Sequence, residues 1–575
     1  MKQMLTFLKP YRAGILAALA AVAVSTACDL LLPTIMSQIL NNGIYGRDFS
    51  YIVACCIRML VVCIVGLGSL LVGVWYSNKV VARFCEDLRG VIFRKVNAMS
   101  FEEFGKLGTA ALVTRATHDV ETVSWVASEL CGTVVTIPVL FFGGVILAMG
   151  KDVILSLVLL AFVPVILAIV LYAGRNIDGL WKKSDDYMDK QNDIMRERLR
   201  GIRVIRAFDA EETEHSRIAE ATHIMAVHMI EANVTMGMIA PLATFLLNLA
   251  AVLIVYLGGW RLETQSGLTG GDIFAIVQYV SLVASGVIMG AFTIIMFPHA
   301  KIAAGRIGEV LNAEGMADPV QRQELTLEGD IVFDHVSFRY EGAVQSALQD
   351  ISLHIPTGQK AAVIGGTGAG KSTLVSMLMG FRMPTEGEVR LDGIPTTSLS
   401  RHTMRQNMSC ALQNATIYSG TIRENVAMGD LNADDDAIRG ALETAQAWEF
   451  VSAYEDGIHH EVKQSGKNLS GGQKQRLSIA RALLKKAPIY IFDDSFSALD
   501  FLTEANLRKA LGKRIAGKTQ IIITQRVSSA MHCDCIYVMD RGCLVDWGTH
   551  AQLLERCSVY REIHASQTGG SHEKR

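Results

Sequence analysis

The sequence predicts an α-helical membrane domain of six spans over residues 1–320, followed by an α/β domain over residues 321–575. Three observations carry that division. Six runs nearly free of charge lie before residue 320 and none lies after it. Hydrophobic residues make up 50% of the chain and charged residues only 19%, too apolar a balance for a wholly soluble or disordered protein. Beyond Lys301, short β-type runs alternate with helical patterns around one glycine-rich loop.

The apolar runs cover residues 13–37, 51–77, 131–150, 153–174, 234–260 and 273–298, most of them near the ~20 residues that a membrane helix needs. The first follows a basic amino terminus and is longer than a signal-peptide core, so it reads as a retained span. Basic residues concentrate in two connections. Lys79, Arg83, Arg89, Arg94, Lys95, Lys106 and Arg115 lie between spans two and three, and Arg175, Lys182, Lys183, Lys190, Arg196, Arg198, Arg200, Arg203 and Arg206 between four and five. The other three hold only Arg47, Lys151 and Arg261, which places both termini and the α/β domain in the cytosol of a multi-pass protein of the cytoplasmic membrane. The two basic connections keep helical periodicity without proline and are expected to extend the spans as arms reaching roughly 40 Å from the bilayer. Asp29 and Arg58 lie inside spans one and two at matching depth, and an ion pair between them is expected.

A net charge of −2 offers no field that would attract nucleic acid, and none is expected as a partner. The 11 cysteines are scattered, without the second pair that a zinc site needs beside Cys533 and Cys535, and are read as buried thiols in a reducing compartment.

In the second domain the strand Ala361–Ile364 runs into Gly365-Gly366-Thr367-Gly368-Ala369-Gly370-Lys371-Ser372-Thr373 and then into a helix. Strand, glycine loop and helix are the setting in which backbone N–H groups curl around phosphate oxygens, the lysine reaches the β and γ phosphates, and the serine ligates Mg²⁺. Asp493 ends the apolar strand Ile489–Phe492, where a carboxylate can hold Mg²⁺ through water. Leu469-Ser470-Gly471-Gly472-Gln473 opens an amphipathic helix whose Leu477, Ala480 and Leu484 share a face. Ser470 suits the N-cap, and two unhindered glycines at a helix N-terminus make a second anion site. One nucleotide cannot easily use both, so two copies of the domain are expected to face each other.

Phosphate loop, Leu-Ser-Gly-Gly-Gln signature, Asp493 strand and six spans together resemble an ATP-binding cassette (ABC) exporter half-transporter of the type IV membrane architecture, over essentially the whole chain. The resemblance implies that Tyr340 stacks on adenine, that Gln413 joins Mg²⁺ to the membrane contacts, and that Ser497-Ala498-Leu499-Asp500 connects the two sites across the dimer, with Asp500 counted among the catalytic positions. It implies ATP and Mg²⁺ as ligands. It also makes coupling helices of the arm tips near Phe101–Leu112 and Gly201–Phe208, the second reaching the partner's cassette.

Two positions depart from the family's pattern. Asp494 stands where active members carry Glu, and Gln525 stands where they carry the switch His. Aspartate is one methylene shorter, and a misplaced base of about 1 Å can lose on the order of 10²-fold in rate. Gln525 can donate a hydrogen bond to a γ phosphate but cannot carry positive charge. Slow hydrolysis with intact binding is expected, and the undamaged signature suggests service to a partner's phosphate loop. The chain thus resembles the degenerate-site subunit of a heterodimeric bacterial-type multidrug exporter, whose other half-transporter carries the consensus Glu and His. The cargo expected is a small hydrophobic or amphipathic molecule, with the lipid bilayer as a further partner; Met236, Met238, Phe245, Met289, Phe292 and Met296 form a soft apolar set that could accommodate such cargo, although facing lipid or packing between helices is the more ordinary role for most of them. Lipid, peptide or metal-chelate transport on the same fold, a slow homodimer and a nucleotide-gated regulator are the alternatives.

Overall fold

The computed structural model describes residues 6–263, 267–313, 315 and 325–568, without the side chains of 170, 173–178, 180–182, 185, 291, 294 and 295. The chain divides into two compact units, Met1–Gly315 and Met316–Arg575. The boundary expected at residue 320 falls in 316–324, outside the described residues, as do the side chains of Arg175 and Lys182.

The first unit is helical throughout its described length. Helix α1 (Arg12–Gln38) continues as a π turn to Ile44, and Asp48 caps the 50-residue α2 (Phe49–Ala98) by accepting from Tyr51 N at 3.0 Å. At 1.5 Å per residue α2 is about 75 Å long, more than twice the bilayer core. Its far end turns through a short helix, Phe101–Leu107, capped by Ser100. The chain returns as α3 (Val120–Pro138), and a π turn, Val139–Gly143, follows Pro138. Asp152 caps the 55-residue α4 (Val153–Ala207), and α5 (Glu211–Gly237), α6 (Ile239–Glu263) and α7 (Gly270–Asn312) complete the unit. Both basic connections are therefore continuous helical arms with tight turns, as their periodicity predicts.

Five helical stretches among the described residues are long and apolar enough to cross a membrane: Thr6–Ile44, Phe49–Ala98, Thr109–Met149, Glu211–Glu263 and Gly270–Gly290. They contain the runs 13–37, 51–77 and 234–260, all but the last residue of 131–150, and the part of 273–298 up to Gly290. The fourth run begins as the shorter apolar helix Val153–Ile169 and then enters residues whose side chains are not described.

Small residues let these helices approach. A Cβ on Gly73 of α2 would lie 2.9 Å from Val22 Cγ2 of α1, so only glycine keeps that spacing. Within the membrane-crossing part, Leu30, Leu140, Leu155, Leu159, Ile254 and Tyr279 belong to one buried cluster drawn from five helices. Charges meet in pairs at the ends of the helices. Lys151 Nζ contacts Asp272 Oδ1 at 2.8 Å, Arg261 Nη2 contacts Asp152 Oδ2 at 2.8 Å, and Ser37 of α1 donates to Asp272 at 3.1 Å. The expected Asp29–Arg58 pair does not form among the described residues, and both side chains are exposed. The contacts a Cβ would make at Gly14 with Val80, at Gly66 with Cys28 and at Gly43 with Ile52 pair the two antiparallel helices so that Asp29 lies level with residues near 65, about seven residues or roughly 10 Å along the axis from Arg58. All eleven cysteines are free; six are buried, whereas Cys56 and Cys63 on α2 are exposed.

The second unit is layered α/β. Strands β1 (Ile331–Phe338), β2 (Leu348–Ile355), β4 (Glu386–Leu391) and β5 (Ile394–Pro395) form an antiparallel sheet in the order β2-β1-β4-β5. Strands β3 (Lys360–Ile364), β6 (Met408–Ala411), β9 (Ile489–Asp493), β10 (Thr519–Thr524), β11 (Cys535–Asp540) and β12 (Cys543–Gly548) form the second sheet, ordered β12-β11-β3-β10-β9-β6 and parallel except for β12. β7 (Gly420–Thr421) and β8 (Glu461–Val462) pair alone. Alternation along a strand sends neighbours to opposite faces. Ala361 and Val363 of β3 join one buried cluster with the antiparallel sheet, while Ala362 and Ile364 join the other with the helices. Both faces are covered, so the strands are apolar almost without interruption.

Candidate nucleotide-binding site

Adjacent parallel strands β3, β10 and β9 deliver the site at their carboxyl ends, where open α/β sheets bind ligands. β3 feeds the glycine loop into α8 (Lys371–Leu378), β9 delivers Asp493 and Asp494, and β10 delivers Gln525. Backbone geometry explains the glycines. Gly368 and Gly370 have φ of 81° and 95°, in the left-handed region, and a Cβ on Gly365 would lie 2.2 Å from the carbonyl oxygen of Met539.

Tyr340, Thr367, Gly368, Ala369, Gly370, Lys371, Ser372, Thr373, Gln413, Asp493, Asp494 and Gln525 line one cavity of about 370 Å³, closed further by Ala347 and Ile523. Gly365 and Gly366 sit behind it, their carbonyls accepting from Lys371 Nζ at 2.8 and 2.7 Å. That buried ammonium is held below the usual lysine range by desolvation, against the pull of Asp494 and Asp493. Burial, joined by the charge of Asp494, pushes the Asp493 carboxyl above the ordinary range. Burial also raises Asp494, opposed by Ser497, Lys371, Arg526 and Gln413. Asp494 has φ of 46°, and its N–H donates to Ile523 O at 2.9 Å. Tyr340 is anchored by a 3.1 Å hydrogen bond between its hydroxyl and Thr373 Oγ1, and the Arg382 guanidinium lies 4.5 Å from its ring centre.

This donor set fits Mg²⁺ with a triphosphate. Ser372, Gln413 and Asp493 offer only hard oxygens, which suit that ion, and two neighbouring carboxylates driven toward protonation by burial are relieved by a cation.

Ser470, Gly471, Gly472 and Gln473 do not line this cavity. They form the N-terminus of α9 (Gly471–Leu484), where Ser470 Oγ accepts from Gln473 N at 3.2 Å and Gln473 Oε1 accepts from Ser470 N at 2.8 Å. Leu477, Ala480 and Leu484 are buried, as their spacing predicts. Asp500 also lies outside the cavity and caps α10 (Phe501–Arg514), accepting from Thr503 N at 2.9 Å and Thr503 Oγ at 2.6 Å. Arg382, Ala347, Ile523 and the partners of the Gln525 main chain escaped the motif reading, because none belongs to a local pattern.

Residues 15–287 match the family of the ABC transporter transmembrane region, and residues 348–497 match the ABC transporter family. The uncharacterized ABC transporter ATP-binding protein YfiB of Bacillus subtilis is 32% identical over 99% of this chain and 99% of its own length. The chain belongs to the ABC transporters. This ABC transporter is also 30% identical to the ATP-dependent lipid A-core flippase of Albidiferax ferrireducens, over 98% of the chain and 97% of the relative. Its fold matches the structure of a bacterial Atm1-family ABC exporter with ATP bound, with a TM-score of 0.80 at 22% identity over 98% and 99% of the two chains. The helical unit is membrane-embedded, and the second unit is an ATP-binding domain whose hydrolysis is coupled to transport.

Proposed function

We propose that this chain is one half of a heterodimeric exporter that moves hydrophobic or amphipathic small molecules across the cytoplasmic membrane, with a weakly hydrolytic ATP site of its own. The observation that carries this reading is the single cavity that brings Lys371, Ser372, Asp493, Asp494 and Gln525 together while leaving the signature residues outside it. A site so built can grip ATP, and Ser470–Gln473 remain for a second cassette.

In this reading Tyr340 stacks on adenine, and the N–H groups from Gly368 to Thr373 and the Lys371 ammonium hold the phosphates. Ser372, Gln413 and Asp493 hold Mg²⁺, which when bound polarises the phosphoryl oxygens. Asp494 is the proton acceptor for the attacking water; burial raises its proton affinity, which favours that task, but its short side chain stands back from it. Gln525 contributes a neutral donor in place of a charged one. Binding energy is thus retained while the hydrolytic step is weakened, and a partner with Glu and His would cut ATP against this chain's Ser470 to Gln473. The basic arms, Lys79 to Arg115 and Lys183 to Arg206, support cytosolic termini. Six spans follow if the apolar first part of α4, which is helical from Val153 to Ala207, also crosses the membrane. Export of a lipid is a second reading, favoured by the similarity to the flippase.

Replacing Asp494 by Glu together with Gln525 by His tests the reading directly. Turnover by the purified dimer should rise at least about tenfold, the scale of a repositioned base, and an unchanged rate would refute a degenerate site. Affinity purification of this chain should also recover a second half-transporter. Brisk hydrolysis by the chain paired only with itself would argue for a homodimer. Uptake of a fluorescent lipid in preference to a dye by inside-out vesicles would favour the lipid reading.

A further inference from the structure

The last described helix, Ser558–Thr568, ends against the segment that carries Gln525. Gln567 Nε2 donates to the main-chain carbonyl of Gln525 at 2.6 Å, and its Oε1 accepts the main-chain N–H of Val527 at 2.8 Å. A single amide thus satisfies an acceptor and a donor on either side of Arg526, the pattern with which one strand residue engages its neighbour. Beyond Thr524 the sheet supplies no ladder partner to this segment, since β10 ends there. The helix bearing Gln567 is itself well anchored. Tyr560 is fully buried with its hydroxyl 2.8 Å from His550 Nδ1, and Val559 and Ile563 pack on the main core of the unit. From the other side, Arg526 Nη2 donates to Ser497 O at 2.7 Å. Gln525 therefore follows directly on strand β10, lines the nucleotide cavity, and is held at its own carbonyl by a residue 42 positions away.

We propose that Gln567 is a positioning residue for the hydrolytic step, fixing the main chain at Gln525 so that its side chain stays directed at the terminal phosphate. Gln567 does not line the cavity, so it acts only through Gln525 and Val527. ATP binding rests on Lys371, Tyr340 and the glycine loop and is independent of it.

The test uses the full-length protein with its co-purifying partner, in the Asp494→Glu/Gln525→His background where this site turns over. Gln567→Ala should lower kcat about tenfold, as a mispositioned group does, with the KM for ATP and the thermal midpoint within error of the parent. Gln567→Glu keeps an acceptor for Val527 N–H, has no donor for the Gln525 carbonyl and should show most of the same loss; it also serves if the alanine variant folds poorly. Hydrogen–deuterium exchange at the Val527 amide, in Mg-ATP, should accelerate in Gln567→Ala. Absence of a turnover gain in the background counts against the degenerate-site reading, and exchange then decides the inference about Gln567. Unchanged exchange at Val527 overturns it. So does a kcat within twofold of the parent in a background that does turn over, or a fall in kcat matched by a rise in KM and a lowered midpoint in both variants.

Discussion

At Asp493 and Asp494 the needs of folding and of ligand binding oppose each other. Burial raises both carboxyls, so in the pH window above the ordinary carboxylate value and below the raised one the native state holds more protons than the unfolded chain. Stability contributed there is lost as pH rises through that window and is not regained above it. Replacing Asp493 with Asn removes one buried charge and should raise the melting temperature of the nucleotide-free protein near neutral pH by a few degrees. The same substitution should abolish the further rise on adding Mg-ATP if Asp493 holds the metal as proposed. Differential scanning fluorimetry with and without Mg-ATP checks both parts. A variant that melts lower than the parent without ligand would show that Asp493 stabilises the fold by some other contact. Lys371 and Ser372 could be read from the sequence because a phosphate loop imposes its constraints on consecutive main-chain atoms, which dictate residue type at fixed spacing, and Asp493 because it ends an apolar strand. Arg382 beside the Tyr340 ring and Gln567 beside Gln525 could not. Their contacts are made between elements, and no local spacing records them.

The α9 helix shows how an element can serve two ends. Ser470 and Gln473 close a capping box that satisfies donors at its start, and that same start presents Gly471 with open space around it. Loss of a serine cap costs about 1 kcal/mol, so Ser470→Ala should lower the urea midpoint of the protein correspondingly, and Ser470→Thr should largely restore it. If the signature also serves a second cassette, Ser470→Ala loses more ATPase activity than its stability loss explains; equal recovery of stability and activity by threonine would leave capping as the whole role. The long helices were legible for a different reason. A hydrocarbon layer requires some twenty apolar residues, and a helical arm with no proline keeps its period, so α2 and α4 announce themselves by length and composition. Periodicity also foretold which face of α9 is buried. It did not foretell the failure of Asp29 and Arg58 to pair. Counting residues to the loop could not give their depth, because the π turn to Ile44 and the packing of α1 on α2 set which positions lie level.

At the scale of the molecule, the two units have separate cores. In the second, clusters on both faces of the six-stranded sheet are complete without any residue of the first. Residues 316–575 expressed alone should therefore melt cooperatively and bind a fluorescent ATP analogue, with Lys371→Ala reducing that binding at least tenfold through loss of its charged hydrogen bonds. Circular dichroism and fluorescence titration measure these, and a non-cooperative melt would mean that the membrane unit is needed to complete the fold. The sequence by itself determined the two-part architecture, the glycine loop with its lysine and serine, the aspartate pair Asp493 and Asp494 that closes an apolar strand, and the helix that opens at Ser470. Each is written either in bulk hydropathy or in a run of neighbouring residues, where chain connectivity does the placing. Only the tertiary structure decided that the loop, Gln413, Asp493, Asp494 and Gln525 share one cavity that the signature does not enter, that Asp500 caps a helix, and that Gln567 holds the switch segment. Those facts depend on which strands lie adjacent and how each helix is rotated, quantities set by packing between distant segments.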